Sequence, residues 1–182
     1  IYTGDIIAMY SSPSYDPNLF LFGISQDEWE LIRNNPLKPL IHKTISGLYS
    51  PGSTIKPIVA LSALENKIIN PNFKVKCTGK TELYGQTFHC WKEKGHGFVS
   101  LKNAMKQSCD TYFYEVSRLL GVDRLNITAK KFGLGEKVLG EYFDNEKKGL
   151  FTNTKWKKNN LGKGWVLGET LITGIGQGYT QT

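Results

Sequence analysis

Tyr49-Ser50-Pro51-Gly52-Ser53-Thr54-Ile55-Lys56-Pro57 is the stretch on which the rest of the sequence turns. Pro51-Gly52 makes a turn, and an apolar helical repeat follows it (Ile55, Val59, Leu61, Ala63, Leu64, Ile68) up to the stop at Asn70-Pro71. Pro57 falls in the first turn of that helix, where a missing amide hydrogen costs little. Ser53 is therefore predicted at a helix start, with Lys56 one turn on and on the same face. A serine hydroxyl is a poor nucleophile until a base removes its proton, and a neighbouring lysine amine is one such base. The helix N-terminus adds a positive dipole that favours an alkoxide and later an oxyanion. Alone the pair is weak. With 11 Ser and 20 Lys in 182 residues about one Ser-x-x-Lys match arises by chance, and Ser53 could equally be a cap and Lys56 a surface lysine.

Gln107-Ser108-Cys109-Asp110-Thr111-Tyr112-Phe113 follows some fifty residues later, inside Leu101–Leu120, which reads as one helix or two closed by Gly121. Asp123 is predicted to cap a further helix reaching about Lys131. Upstream, residues 1–10 read as a strand with a turn at Gly4-Asp5, residues 11–22 as a loop and residues 25–33 as a short helix. Residues 34–50 read as irregular, residues 72–98 hold no helix, and residues 133–164, with six glycines and many Lys and Asn, read as loop. The glycines of Gly174-Ile175-Gly176-Gln177-Gly178 predict a tight approach of backbones.

Cys77, Cys90, His96 and Cys109 are spaced Cys-x12-Cys-x5-His-x12-Cys. No tight Cys-x2-4-Cys pair is present, so this is not a zinc finger. Three thiols and an imidazole are nevertheless a complete tetrahedral set for structural zinc, with Gly79, Gly85, Gly95 and Gly97 to bend the chain around it. The competing readings are three unrelated reduced thiols, or His89 in place of His96. The formal charge of +7 could suit an anionic polymer, a membrane surface or nucleic acid. Only 3 of the 23 basic residues are Arg, which disfavours specific base readout and leaves a solvated lysine surface. Trp91, Trp156 and Trp165 read as packing residues rather than a cleft wall, and Lys155-Trp156-Lys157-Lys158 as a solvated loop.

Ser-x-x-Lys followed by Ser-x-Asp is the motif order of penicillin-recognising enzymes. Five segments, Gly4-Asp5-Ile6-Ile7-Ala8-Met9, Ser12-Pro13-Ser14-Tyr15-Asp16-Pro17-Asn18, Tyr49 to Pro57, Ser108 to Phe113 and Ile175 to Tyr179, together resemble the class B penicillin-binding proteins, most nearly the penicillin-binding protein 2 family. The resemblance implies an α/β (α+β) fold of the serine transpeptidase and β-lactamase type, helix-rich here with an incomplete antiparallel sheet. It implies Ser53 as the acylated nucleophile, Lys56 as its general base, Ser108 as proton relay, and Asp110, where many relatives carry Asn, as the group orienting Lys56 or the substrate amide. No cofactor is implied for catalysis, and a metal near the second motif occurs in some members, with His96 at the matching position. Export to an oxidising compartment would make free thiols a liability, which favours the metal.

The implied activity is peptidoglycan D,D-transpeptidation, with stem peptides as substrates, β-lactams as trapping mimics, and a glycan polymerase and elongation-complex proteins as partners in cell-shape maintenance. The implied location is the periplasmic face of the bacterial inner membrane, anchored by an N-terminal segment absent from this chain. The family's third motif, Lys-Thr-Gly or Lys-Ser-Gly, is not among the 182 residues, so residues 1–182 are expected to be one transpeptidase domain truncated before it. A serine β-lactamase or β-lactam sensor would share Ser-x-x-Lys. A non-catalytic relative or a zinc-stabilised nucleic-acid-binding module would fit the remaining features less well.

Overall fold

The computed structural model describes residues 2–182, and its packing divides the chain into two compact units. One comprises Ile1–Leu48 and Lys137–Lys147; the other comprises Tyr49–Glu136 and Lys148–Thr182.

The first unit is mostly irregular. Asp16 caps a 3-10 turn at Pro17–Phe20. Helix α1 (Gln26–Arg33) begins with a capping box in which Ser25 accepts from the Glu28 amide and the Glu28 carboxylate accepts from the Ser25 amide. A single helical turn, α2 (Lys43–Ser46), interrupts the stretch expected to be irregular. Ser11 Oγ accepts from the Lys43 amide, and Glu146 accepts from the Val138 and Leu139 amides. The strand expected over residues 1–10 does not form over the described residues 2–10, and Ile1 lies outside them. Among the described residues no strand pairs with this exposed segment, and a strand without a partner leaves its backbone groups to water.

The second unit holds the core. A 3-10 turn at Gly52–Ile55 leads into α3 (Lys56–Glu65), so the helix begins three residues later than Ser53 itself. Residues 72–98 form two antiparallel pairs: β1 (Lys74–Cys77) on β4 (Gly97–Ser100), and β2 (Lys80–Leu83) on β3 (Gln86–His89). Helices α4 (Leu101–Gln107), α5 (Asp110–Leu120) and α6 (Val122–Lys131) follow. Helix α5 is the centre of the unit. It packs against α3, α6 and β1, and its Tyr112, Phe113, Val116 and Leu120 are fully buried. The Tyr112 hydroxyl donates to the Phe73 carbonyl and that of Tyr114 to the His89 carbonyl, so each large ring is buried with its polar end satisfied.

Two helices stand where a loop or nothing was expected: α7 (Thr154–Leu161) and α8 (Leu167–Thr173), the latter packed on α5. Helix α7 has no apolar stripe to announce it. It forms because its ends are capped: the Asn153 side chain accepts from the Trp156 amide, and Gly162 closes the last turn in the left-handed region. Asp123 does not cap α6. Its carboxylate accepts from the Thr154 amide and hydroxyl and so serves α7. Lys157 is not solvated either; it is buried and paired with Glu169 of α8.

The close backbone approach at Gly174–Gly178 is present. Gly176 (φ +71°) accepts from the Gly52 amide at 2.9 Å, and a Cβ there would stand 2.2 Å from the Gly52 carbonyl oxygen. Reciprocal amide–carbonyl bonds between Tyr49 and Thr182 extend the same contact. The turn that carries Ser53 is thereby clamped from behind. Gly176→Ala is expected to destabilise the fold by more than about 2 kcal/mol, because it adds a backbone clash to an unfavourable φ. Chemical denaturation of the two proteins measures the difference.

Candidate active site

Lys56 opens α3 and points inward, with 2% of its side chain exposed. A buried ammonium persists only if every donor finds an acceptor. Its Nζ donates to the Ser108 carbonyl at 2.9 Å, to Ser108 Oγ at 2.9 Å and to Asp110 Oδ1 at 2.6 Å. These are all three donors an ammonium has. The Phe113 ring lies 5.5 Å below it and adds a cation–π contact.

The acceptors come from one break in the helices. Leu101–Leu120 is two helices because Ser108 takes a left-handed conformation (φ +50°) and Cys109 an extended one. The kink lets Ser108 show both its hydroxyl and its carbonyl to Lys56. Asp110 is the first residue of α5, where the helix dipole favours a carboxylate. Ser108 Oγ donates onward to Ser53 Oγ at 3.1 Å. The polar chain therefore runs Ser53–Ser108–Lys56–Asp110. Among the described residues, Lys56 reaches Ser53 only through Ser108, not directly. The chain opens on a cleft of ≈850 Å³ walled by Phe88, Trp91, Ile172 and Gln177.

Trp91 is the residue that the sequence reading assigned to packing. It is 63% exposed on that cleft. Its indole N–H donates to the Gln107 and Ser108 carbonyls at 3.0 and 3.1 Å, and its backbone amide donates to Asp110 Oδ2 at 3.0 Å. The only signal in the sequence was its position next to Cys90. Trp156 packs at a tilt against Tyr179 and Trp165 donates to Thr170, and neither lines this cleft.

Behind the Ser108 break, the ligand atoms of Cys77, Cys90, His96 and Cys109 lie within 4.8 Å of one another. His96 Nδ1 is 3.5 Å from Cys77 Sγ and 3.6 Å from Cys90 Sγ. All three thiols are buried and unpaired by disulfide. Gly79 and Gly95 bring the loops together: a Cβ on Gly79 would stand 1.8 Å from the Glu93 carbonyl oxygen, and one on Gly95 2.2 Å from that of Cys77. His89 is outside the group. Burial works against the Cys77 thiolate, but nearby polar groups, His96 among them, outweigh it and bring the thiol down to about 6. Burial holds the Cys109 thiol far above its usual range, and negative charge on Cys77 and Cys90 adds to that. Without a cation among them, the three sulfurs cannot all ionise.

A family model described as the penicillin-binding protein transpeptidase domain matches residues 1–182. The peptidoglycan D,D-transpeptidase MrdA of Acinetobacter baumannii is 39% identical over 99% of this chain and 27% of its own length, and that of Escherichia coli K12 is 39% identical over 97% and 28%. The chain thus spans little more than a quarter of the curated relatives it matches. Among solved structures, penicillin-binding protein 2 of Pseudomonas aeruginosa in complex with WCK 5153 superposes with a TM-score of 0.92 at 44% identity, covering 100% of this chain and 40% of that one.

Removing one member of a buried ion pair leaves the other without compensation. Asp110→Ala is expected to cost about 3 kcal/mol of folding stability, whereas loss of the solvent-exposed pair Lys80–Glu82 is expected to leave the denaturation midpoint nearly unchanged. Urea denaturation of Asp110→Ala and Glu82→Ala checks the contrast.

Proposed function

This chain belongs to the penicillin-binding protein transpeptidase domain family, and from that premise we propose that it carries the nucleophilic half of a peptidoglycan D,D-transpeptidase site. The observation that carries the reading is the unbroken polar chain Ser53–Ser108–Lys56–Asp110 opening on a cleft. Ser53 Oγ attacks the D-Ala-D-Ala carbonyl of a donor stem peptide. The base is the neutral Lys56 amine, formed when the ammonium gives up one proton to solvent; its lone pair then accepts from the Ser108 hydroxyl, which turns from Ser53 to Lys56. The Ser53 proton passes to Ser108 Oγ while the Ser108 proton passes to that amine, so that one O–H is broken and one N–H formed. Asp110 stabilises the ammonium that results. The Ser53 amide, in the first turn before α3, lacks an intrahelical partner and supplies one oxyanion donor. On collapse of the tetrahedral intermediate the proton returns through Ser108 to the leaving D-alanine amine. An acceptor amine then resolves the ester. A β-lactam enters as the donor does and leaves Ser53 acylated.

Both units are read as parts of one transpeptidase domain, completed outside these residues by the strand bearing Lys-Thr-Gly or Lys-Ser-Gly. Support comes from the family match over residues 1–182 together with the short span of the relatives that is covered. No helix among the described residues is long and apolar enough to cross a membrane. Periplasmic work at the inner membrane, through an anchor elsewhere in the protein, is carried over from the family. So is assembly with elongation proteins: penicillin-binding protein 2 of Helicobacter pylori, 35% identical to this chain over 94% of it, has been solved in a complex with MreC.

Zinc is the ion that the cysteine cluster fits. Tetrahedral ligation at roughly 2.3 Å from sulfur and 2.0 Å from nitrogen sets neighbouring S and N atoms ~3.5 Å apart, and His96 stands at 3.5 and 3.6 Å from two of the sulfurs. Cys77, Cys90, His96 and Cys109 would fill all four positions, which would make the ion structural. Bound there, it would let the thiolates coexist, and Cys109 would tie the Ser108–Asp110 turn to the cluster.

Intact mass after incubation with a labelled penicillin should show one adduct, absent in Ser53→Ala. Rapid turnover of that adduct would favour a β-lactamase instead, and no adduct on a folded whole protein would overturn the reading. Chelation should lower the melting temperature and loosen residues 77–110. An unchanged melting temperature after verified metal loss would remove the zinc claim.

A further inference from the structure

We propose that Trp91 is a positioning residue for the Ser53 site, acting through the hydrogen bonds that fix the two groups holding Lys56; the inference rests on the transpeptidase reading above. Lys56 and Trp91 share acceptors. The Ser108 carbonyl accepts from Lys56 Nζ at 2.9 Å on one side and from the Trp91 indole at 3.1 Å on the other. The Asp110 carboxylate gives Oδ1 to Lys56 and Oδ2 to the Trp91 amide. Trp91 thus grips from outside both anchors that Lys56 grips from within.

The grip matters because of where it falls. Ser108 is a non-glycine residue at φ +50°, a conformation that needs support from its surroundings. Its N-terminal neighbour Gln107 closes α4, and the Gln107 carbonyl is among the last of that helix, without an intrahelical partner of its own. The indole N–H satisfies it at 3.0 Å. A single donor therefore pins the two consecutive carbonyls on which the Ser108 turn pivots. If the Ser108 carbonyl swings, Lys56 loses an acceptor and Ser108 Oγ leaves its place between Lys56 and Ser53.

Burial does not explain this tryptophan. At 63% exposure the ring contributes little to the core, so its conformation is set by the two hydrogen bonds and by an edge contact with the His96 ring at 5.3 Å. Cys90 and Cys109, which precede Trp91 and Asp110, belong to the cysteine cluster. The residue following each is joined to the other by the Trp91 amide–Asp110 bond, so the clasp closes the cluster on its cleft side.

Two substitutions in the whole protein separate a donor role from a packing role. Trp91→Phe keeps a flat ring and loses the N–H, while Trp91→Gln loses the ring and offers an amide donor at comparable reach. The backbone amide bond to Asp110 survives in both. Trp91→Phe is expected to slow Ser53 acylation at saturating penicillin about tenfold, the size of losing one hydrogen bond that holds a reacting group. Initial drug binding should stay within about twofold and the melting temperature should hold. Trp91→Gln is expected to recover most of the acylation rate. The reverse order, with Phe near wild type and Gln slow, would overturn the proposal, as would equal slowing in step with a lowered melting temperature, or wild-type rates in both. A wild-type protein that is never acylated would instead remove the transpeptidase reading, and this inference with it.

Discussion

A lysine ammonium cannot be taken out of water without acceptors for all its protons, and the arrangement of this molecule follows from meeting that demand at Lys56. Its acceptors come from two residues, Ser108 and Asp110, on either side of Cys109. That requires the helical run Leu101–Leu120 to break at Ser108, and it requires α3 to cross α5 where the break occurs. The fully buried Tyr112, Phe113 and Val116 hold that crossing. The geometry of the Ser53–Ser108–Lys56–Asp110 chain and folding stability therefore lean on the same few atoms, and a change that loosens the Ser108 turn is felt in both.

Two glycine contacts bring the remaining parts to this centre. Gly176 lets the 174–178 segment press against Gly52, which places Ser53 within reach of Ser108. Gly79 and Gly95 let two turns come together closely enough for Cys77 and His96 to share a small space with Cys90 and Cys109. In both places a Cβ would collide with backbone, not with a side chain that could move aside. The cysteine cluster and the serine site are neighbours because Cys109 lies between two site residues and Cys90 precedes Trp91.

The places where sequence reading and structure part company share a cause. Helix α7 carries no apolar periodicity, and Lys155, Lys158, Asn159 and Asn160 look like loop. It exists because Asn153, Gly162 and the distant Asp123 satisfy its ends. Asp123 read as the cap of its own helix because the partner that it serves is 31 positions away. Lys157 read as solvent-facing because Glu169 is not adjacent in sequence. Residues 6–10 are an apolar run such as strands carry, but a strand also needs a neighbour. Trp91 was set aside because an isolated aromatic carries no sign of what its N–H will meet.

By itself the sequence determined which chemistry is present. A serine and a lysine one turn apart at a helix start, a second serine and an acid flanking a cysteine, and three thiols with one imidazole are local facts, written in spacing and residue type. The apolar repeat after Ser53 and the Gly-rich 174–178 segment likewise announced their helix and their close approach, because both depend on nearest neighbours along the chain. Tertiary structure alone decided how these pieces connect. It routed Lys56 to Ser53 through Ser108, turned Trp91 onto the Ser108 carbonyl, and chose His96 over His89. Those outcomes depend on distances between residues tens of positions apart, set by how α3, α5 and the two strand pairs pack, and no local pattern encodes them.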